Sequence, residues 1–238
     1  MRKYFVILLN LVLLTFMIGS STSTFADGIG NSMTMENPLE TTSNHLMNYS
    51  DSFEDVNSFD EKTLSDFSYR DFEQGLIDLN SEGELDFEKA FVKKMKDSGE
   101  YTVRIPIIHE NYEVISGITV VYDSDRNFEH FIENIVYEDS GIGYLKTWKN
   151  NELQDEHSIN IEEFEEDQGD ISLQGKGWGC IKDCLNKQGL PTWVLGLVGT
   201  ACAAICVGTA GVGCAICIQG LGLGYIGIFE YCLKKCGY

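Results

Sequence analysis

The sequence predicts an α+β N-terminal domain, in which helices precede an antiparallel meander, followed by a small all-α C-terminal domain stapled by disulfides. Three observations lead to this fold class. The spacing of apolar residues changes from a helical period to strict alternation after Gly99. Acidic residues are concentrated before residue 171, and all eight cysteines lie after it. Such an asymmetry between halves indicates two modules with different partners.

The first 26 residues are expected to form a secretory signal peptide. A basic start at Met1 to Lys3 leads into an apolar run from Tyr4 to Ile18, and small residues follow. Cleavage by signal peptidase is expected between Ala26 and Asp27. An uncleaved membrane anchor is the alternative, although the run is shorter than the ~20 residues that a stable span prefers. In either case the remainder of the chain is expected outside the cell, as a secreted protein.

Charge divides the expected mature chain into two parts. Residues 27–170 carry 35 acidic and 10 basic residues, a net charge of −25, whereas residues 171–238 carry a net charge of +3. The predicted organisation is a disordered lead-in over 27–55, an acidic α+β domain over 56–160, an acidic linker over 161–176 and a cysteine-rich domain over 177–238. No nucleic-acid partner is expected for so acidic a chain.

Apolar spacing in the acidic domain predicts two helices. One covers residues 61–79. The other is an amphipathic helix over Glu84 to Lys96, where Phe87, Phe91 and Met95 recur every four residues and Gly99 follows.

Alternating apolar residues then predict strands. Tyr101, Val103, Ile105 and Ile107 alternate with other residues, and Pro106 favours an edge position because proline has no N–H to donate to a ladder. Further strands are expected over residues 112–122, 127–137 and 142–148, with turns at 123–125 and 139–141.

No reactive constellation occurs in the acidic domain. It has no cysteine, phosphate-binding glycine loop, nucleophile elbow or histidine pair at metal spacing. Its carboxylates are spread along the whole length, which favours a solvated surface over an acid/base pair. The chain is therefore not expected to be an enzyme or to need a cofactor. The flexible linker ends with Gly175 and Lys176, and Gly177 begins the cysteine-rich domain. This boundary is interpreted as a plain linker or as the cleavage site of a processing protease.

The eight cysteines form four closely spaced pairs: Cys180/Cys184, Cys202/Cys206, Cys214/Cys217 and Cys232/Cys236. Residues three or four apart share one face of a helix, so each helix can be tied to a neighbour by two bonds. Eight cysteines allow about 105 pairings, and the sequence does not choose among them. Zinc is the alternative, but the alanines and isoleucines around the cysteines offer no polar side chains to hydrogen-bond metal ligands, and no metal is expected.

The stretch from Gln188 to Phe229 carries no charge. Its hydropathy is compatible with two membrane spans. Frequent glycines divide it into pieces too short to span comfortably, so a stapled globule of about four short helices is expected instead.

The cysteine spacing and the order of modules resemble a known family. An acidic leading domain is followed by a module that begins at Trp178-Gly179-Cys180 and ends at Cys236. This arrangement resembles the halocin-type bacteriocin precursors, the group named after halocin C-eight. The resemblance covers residues 178–236 by cysteine spacing and Gly/Ala-rich composition, and the acidic half by architecture alone. It implies a leading immunity-like domain and a trailing antimicrobial peptide. The type member is expected to have more cysteines, so no pairing carries over.

The C-terminal peptide is expected to act on the membrane of competing cells, directly or through a membrane receptor. The residues expected at the membrane are Lys182, Lys187, Lys234, Lys235 and Trp178. The acidic domain is expected to mask the peptide or to give immunity, either secreted or retained at the producer's surface. The alternative is a membrane-anchored surface binding protein with an apolar C-terminal tail. A secreted enzyme is a third, weaker reading.

Overall fold

An eight-stranded antiparallel sheet forms the centre of the protein, and helices pack against it. The structure, a computed structural model, describes residues 52–170, 178–208 and 223–237. These residues all belong to one compact unit of the chain. The predicted combination of helices with an antiparallel sheet is confirmed at this level.

Helix α1 spans Ser58–Glu73, so it overlaps the helix predicted over residues 61–79 but begins three residues earlier. It starts at Asn57, whose side-chain oxygen accepts hydrogen bonds from the backbone N–H groups of Phe59 at 3.1 Å and Asp60 at 3.0 Å. These bonds satisfy donors that have no partner inside the first turn. The helix ends before Gly75, which has a φ of 73°. Since glycine adopts a positive φ without strain, α1 stops there rather than at residue 79.

The strands run in the order β1-β3-β4-β5-β6-β7-β8, and β2 pairs with the end of β4. Their bounds are Phe53–Asp55 for β1, Glu84–Leu85 for β2, Phe91–Met95 for β3, Tyr101–Ile108 for β4, Gly117–Tyr122 for β5, Phe128–Asp139 for β6, Ile142–Lys149 for β7 and Glu152–Asn160 for β8. The last five strands form the predicted meander, extended by β8, which the sequence analysis missed. Its signal was the pair Asn150-Asn151, with φ values of 48° and 68°, which forms the tight turn before it.

The helix predicted over Glu84 to Lys96 is wrong. This segment forms β2, a short 3-10 helix at Phe87–Lys89, and β3. β3 pairs with β1 on one side and β4 on the other, and Lys93 lies opposite Asp55. Pairing with two neighbouring strands, together with cross-strand charge pairs, therefore outweighs the local four-residue period.

The edge position predicted for the strand that contains Pro106 is also wrong. β4 lies inside the sheet, between β5 on one side and both β3 and β2 on the other. β3 pairs with residues 101–104 of β4, and β2 pairs with residues 107–108, so Pro106 lies where one partner strand gives way to the next. Its carbonyl accepts from the backbone N–H of Asp86 at 2.9 Å. An interior strand tolerates this proline because no ladder donor is required at the gap.

Among the described residues, four helices follow the meander, and three of them carry cysteines. Helix α2 spans Ile161–Asp170, α3 spans Trp178–Lys187, α4 spans Thr192–Gly208 and α5 spans Leu223–Cys236. The segment that forms α2 falls in the acidic stretch predicted as a linker, so part of that stretch is helical.

The two faces of the sheet carry separate cores. Successive residues of a strand point to opposite faces, and on β6 Ile135 packs toward α1 whereas Val136 packs toward the cysteine-bearing helices. The sheet is therefore the middle of three layers. The core on the α1 side includes Leu64, Ile77, Val92, Val103, Ile105, Ile118, Val120 and Phe131.

Glu133 on β6 fixes the loop that follows α1. Its buried carboxylate accepts hydrogen bonds from the backbone N–H of Asn80 at 2.8 Å and of Ser81 at 3.0 Å, and from both side chains. Hydrogen bonds to a charged acceptor are about twice as strong as neutral ones. A carboxylate thereby holds the loop against the sheet.

The Glu133→Gln variant is expected to be less stable by about 1.5 to 3 kcal/mol, because an amide offers one acceptor atom and turns a donor toward the loop's N–H groups. Urea unfolding followed by circular dichroism measures the loss. Glu152→Gln, an exposed position on β8, is the matched control. Equal stability of the two variants would contradict this role for Glu133.

Candidate functional site at the sheet-helix interface

The surface that faces the cysteine-bearing helices is here named the docking face. It is formed by Val136, Gly143, Leu145 and Ile159 of β6 to β8, with Ile115 beside them. Val136, Leu145 and Ile115 are buried, and Ile159 is partly buried. Because these residues are apolar and aligned on neighbouring strands, the docking face is a continuous apolar surface belonging to the acidic half of the chain.

Helix α4 packs on this docking face. Its first seven residues, 192–198, are all buried. Seven residues make about two helical turns at 3.6 residues per turn, so they point in every direction around the axis. A helix buried on all sides needs apolar partners on all sides. β7, β8 and α2 supply some of these partners, and α3 supplies others.

Gly143 provides a socket for the ring of Trp193. A Cβ atom placed on Gly143 would lie 2.5 Å from Cζ3 of that ring, closer than real Cβ contacts allow. Trp193 is only 4% exposed, which leaves its ring little room to move. The absence of a side chain at position 143 is therefore what allows the tryptophan ring to approach β7 so closely.

In a second socket the two halves exchange these roles. Here the glycine, Gly196, belongs to α4, and the ring belongs to Phe164 of α2. A Cβ on Gly196 would overlap the Phe164 ring. Each half of the chain thus contributes one aromatic ring and one glycine, and the two contacts define the relative position of α4 and the sheet.

A buried arginine supports the docking face from within the sheet. Arg104 on β4 donates to the backbone carbonyl of Ile115 and, at 3.3 Å, to the hydroxyl of Thr119. It is 2% exposed, and burial lowers the pKa of its guanidinium to about 9. The hydrogen bond to Ile115 fixes the loop residue that packs against α4.

Two disulfides join α3 to α5. Cys180 pairs with Cys236 and Cys184 with Cys232, at Cα–Cα distances of 5.9 Å and 5.6 Å. The prediction that cysteines four apart tie one helix to a neighbour by two bonds is confirmed for these helices. For these four sulfurs the zinc alternative is excluded, since all are in disulfides. Cys202 is also disulfide-bonded, but its partner is not among the described side chains. The side chains of Cys206, Cys214 and Cys217 are not described either.

Charged groups of the two halves also interact across the interface. Asp55 of β1 is bound by Lys93 of β3, and this hydrogen bond lowers the pKa of Asp55 below its ordinary value, with a smaller contribution from Lys234 of α5. Helix α5 also contacts β4. Lys234, one of the lysines that the sequence analysis assigned to membrane contact, therefore acts electrostatically on a carboxylate of the acidic half.

The other predicted site residues are distributed as follows. Lys187, Lys234 and Lys235 are exposed, and Lys235 lies 5.5 Å from the ring of Tyr231. The side chains of Lys182 and Trp178 lie outside the described residues, as do the cleavage positions Ala26, Asp27, Gly175, Lys176 and Gly177. Within the described part of the chain, none of the helices combines the length and apolar character that crossing a bilayer requires.

Sequence reasoning missed both sockets. Gly143 lies inside a predicted strand, where a glycine can mark a close approach by another group. That signal was present, but nothing near position 143 in the sequence indicates that the approaching group is Trp193.

Glu113 precedes the docking-face residue Ile115, and burial, together with the charge of Glu138, raises its pKa above the ordinary value of 4.5. A raised carboxyl pKa means that stability falls as pH rises from 4.5 through the folded-state value. Glu113→Gln is therefore expected to be more stable than the parent at neutral pH, with the difference lost below pH 4.5. Urea midpoints at the two pH values measure this. Glu110→Gln, exposed in the same loop, should show a smaller gain, and a gain for Glu113→Gln that persists in acid would contradict the assignment.

The chain matches no protein-family model, no curated protein and no solved structure.

Proposed function

We propose that the chain is a secreted bacteriocin precursor of the halocin type, in which the acidic half holds the cysteine-rich half inactive until a protease separates them. The cysteine-rich half is then a small helical domain that acts on the membrane of competing cells. The acidic half masks it, or gives the producer immunity. The observation that carries the proposal is the first half of α4, residues 192–198, which are all buried and packed on a docking face that belongs to the other half.

The location of the disulfides supports release. Both described pairings join cysteines within residues 180–236. All eight cysteines lie after residue 177, so any further pairing also stays in the C-terminal half. A cut between residues 170 and 178 would therefore leave the halves associated only by packing and charge, and the released peptide would keep its staples. Each disulfide contributes about 2 to 4 kcal/mol to so small a module.

The charge distribution supports masking. A half with a net charge of −25 attracts a half with a net charge of +3, and this attraction acts over a Debye length of about 8 Å at physiological salt. After release, Lys182, Lys187, Lys234 and Lys235 would draw the peptide to anionic lipid, each contributing about 1 kcal/mol near the surface.

The decisive experiment compares the intact chain with the chain cut at a specific protease sequence placed within residues 171–177. Killing of sensitive cells is expected only after the cut. The natural product is expected to begin between Ser172 and Trp178 and to gain about eight mass units on reduction, as four disulfides require. Equal killing by cut and uncut chains, or free thiols in the native product, would contradict the proposal. A C-terminal half that stays with the producer's membrane would favour the surface-anchored alternative.

Masking has its own test. Purified residues 27–170 added to the released peptide should reduce killing, and the reduction should be greatest at low salt, where charge attraction is least screened. The same fragment with Gly143→Val is the control, because its docking face can no longer accept Trp193. Unchanged potency with both fragments would exclude direct masking and leave immunity to a separate receptor.

A further inference from the structure

We propose that α4 is the segment that enters lipid, and that the docking face exists to keep this helix out of membranes before cleavage. This inference rests on the proposed function, and it assigns the membrane-active surface to a part of the chain different from the lysines. After release, a lipid bilayer takes the place of the docking face on the surface of α4.

The three lysines whose side chains the structure describes are not what the acidic half conceals. Lys187, Lys234 and Lys235 are exposed in the uncut chain. If they alone determined membrane activity, covering α4 would not suppress it. On α4, the surface that changes on release is the one buried against β7, β8 and α2, and the helix is buried over residues 192–198.

The composition of α4 selects lipid as the partner. Residues 188–229 carry no charge, and a helix that is apolar all round is stable only in a protein core or in a membrane. Once the sheet and α2 are removed, α3 still contacts α4, but no described element replaces the docking face. The side of α4 that carried Trp193 then faces water or acyl chains, and acyl chains are favoured.

The length of α4 indicates insertion rather than crossing. Its 17 residues extend for about 25 Å at 1.5 Å per residue, less than the ~30 Å of the hydrocarbon core. Trp193 near the start of α4 suits the interfacial depth at which tryptophan is enriched in membrane proteins. Thr200, one to two turns further on, would lie deeper.

The test follows Trp193 in the full chain, with Trp148 and Trp178 replaced by phenylalanine and a specific protease sequence within residues 171–177. Vesicles of phosphatidylcholine and phosphatidylglycerol in equal parts carry brominated acyl chains, which quench tryptophan on contact. No quenching is expected for the uncut chain. After the cut, a blue shift and loss of Trp193 emission are expected, because lipid in excess competes for a helix that is no longer tethered to the sheet.

Two charge variants locate the inserting element. Thr200 is exposed in the uncut chain, and its hydroxyl bonds only to carbonyls of its own helix, those of Gly196 and Leu197, at 3.0 Å. Thr200→Asp should therefore leave the precursor folded but weaken vesicle binding after the cut by on the order of tenfold or more, given the cost of an aspartate within an inserted helix. Asn186→Asp, exposed on α3, adds the same charge outside α4 and should bind pure phosphatidylcholine vesicles like the parent.

The outcomes separate this inference from the proposed function. Killing after the cut without quenching of Trp193, or equal vesicle binding by the two aspartate variants, would overturn the role of α4, leave the precursor hypothesis standing and indicate a protein receptor. Quenching in the uncut chain would also overturn the inference, since the docking face would then conceal nothing. Neither killing nor vesicle binding after the cut, with the halves shown to be separated, would overturn both.

Discussion

Replacing Gly143 by alanine is expected to destabilise the contact between the sheet and α4 by about 1 to 3 kcal/mol, the usual cost of overpacking a close-packed core. The new methyl group would lie 2.5 Å from the Trp193 ring, which is 4% exposed and cannot move aside freely. Differential urea unfolding of the intact chain measures the loss. If the docking face masks α4, the intact variant should also show killing activity that the parent lacks.

Gly227 on α5 is the matched control, because a Cβ there would have nothing within 4 Å. Gly227→Ala is expected to be neutral or stabilising, by up to about 1 kcal/mol, since alanine has the higher helix propensity. The same substitution should therefore have opposite signs at the two positions. A stabilising Gly143→Ala would show that the ring of Trp193 does not occupy the socket.

A double-mutant cycle tests the pairing directly. Trp193→Leu alone loses apolar contacts, but in the Gly143→Ala background the smaller side chain leaves room for the added methyl group. The combined loss should be smaller than the sum of the two single losses, by about 0.5 to 3 kcal/mol for residues in contact. Additive losses would contradict the socket.

Features that depend only on residues close together in the chain could be predicted from the sequence. The i and i+4 positions of Cys180 and Cys184 predicted a cysteine face, and the structure pairs that face with the one on α5. Alternation around Val103 predicted a strand, because the two-residue period is a local property of an extended chain. Both inferences required only spacing within a single element.

Features that depend on distant partners were missed or mistaken. Phe87, Phe91 and Met95 have helical spacing, yet β3 forms because β1 and β4 are available on both sides. Gly143 and Trp193 lie fifty residues apart in the chain, and no local rule relates a strand glycine to one particular ring. The candidate site consists almost entirely of such long-range contacts, so its residues could not be predicted even where the secondary structure was.

Removing the Cys184–Cys232 disulfide by alanine substitution of both residues is expected to destabilise the C-terminal half more than the same change at Cys180 and Cys236. The two bonds span 48 and 56 residues, so chain entropy alone assigns them nearly equal contributions, each within about 2 to 5 kcal/mol. They differ in burial, because Cys184 and Cys232 are 4% and 0% exposed and belong to the core that holds α4.

The difference between the two double variants therefore isolates packing from cross-linking. The inner variant leaves a cavity under α3 and α5 in addition to losing the cross-link, whereas Cys180 is exposed and its removal leaves no comparable void. Protease resistance and thermal unfolding of the intact chain measure both losses. Equal losses would mean that the Cys184–Cys232 bond stabilises the protein only by restricting the unfolded chain. A larger loss for the outer pair would contradict the placement of Cys184 and Cys232 in the core beside α4.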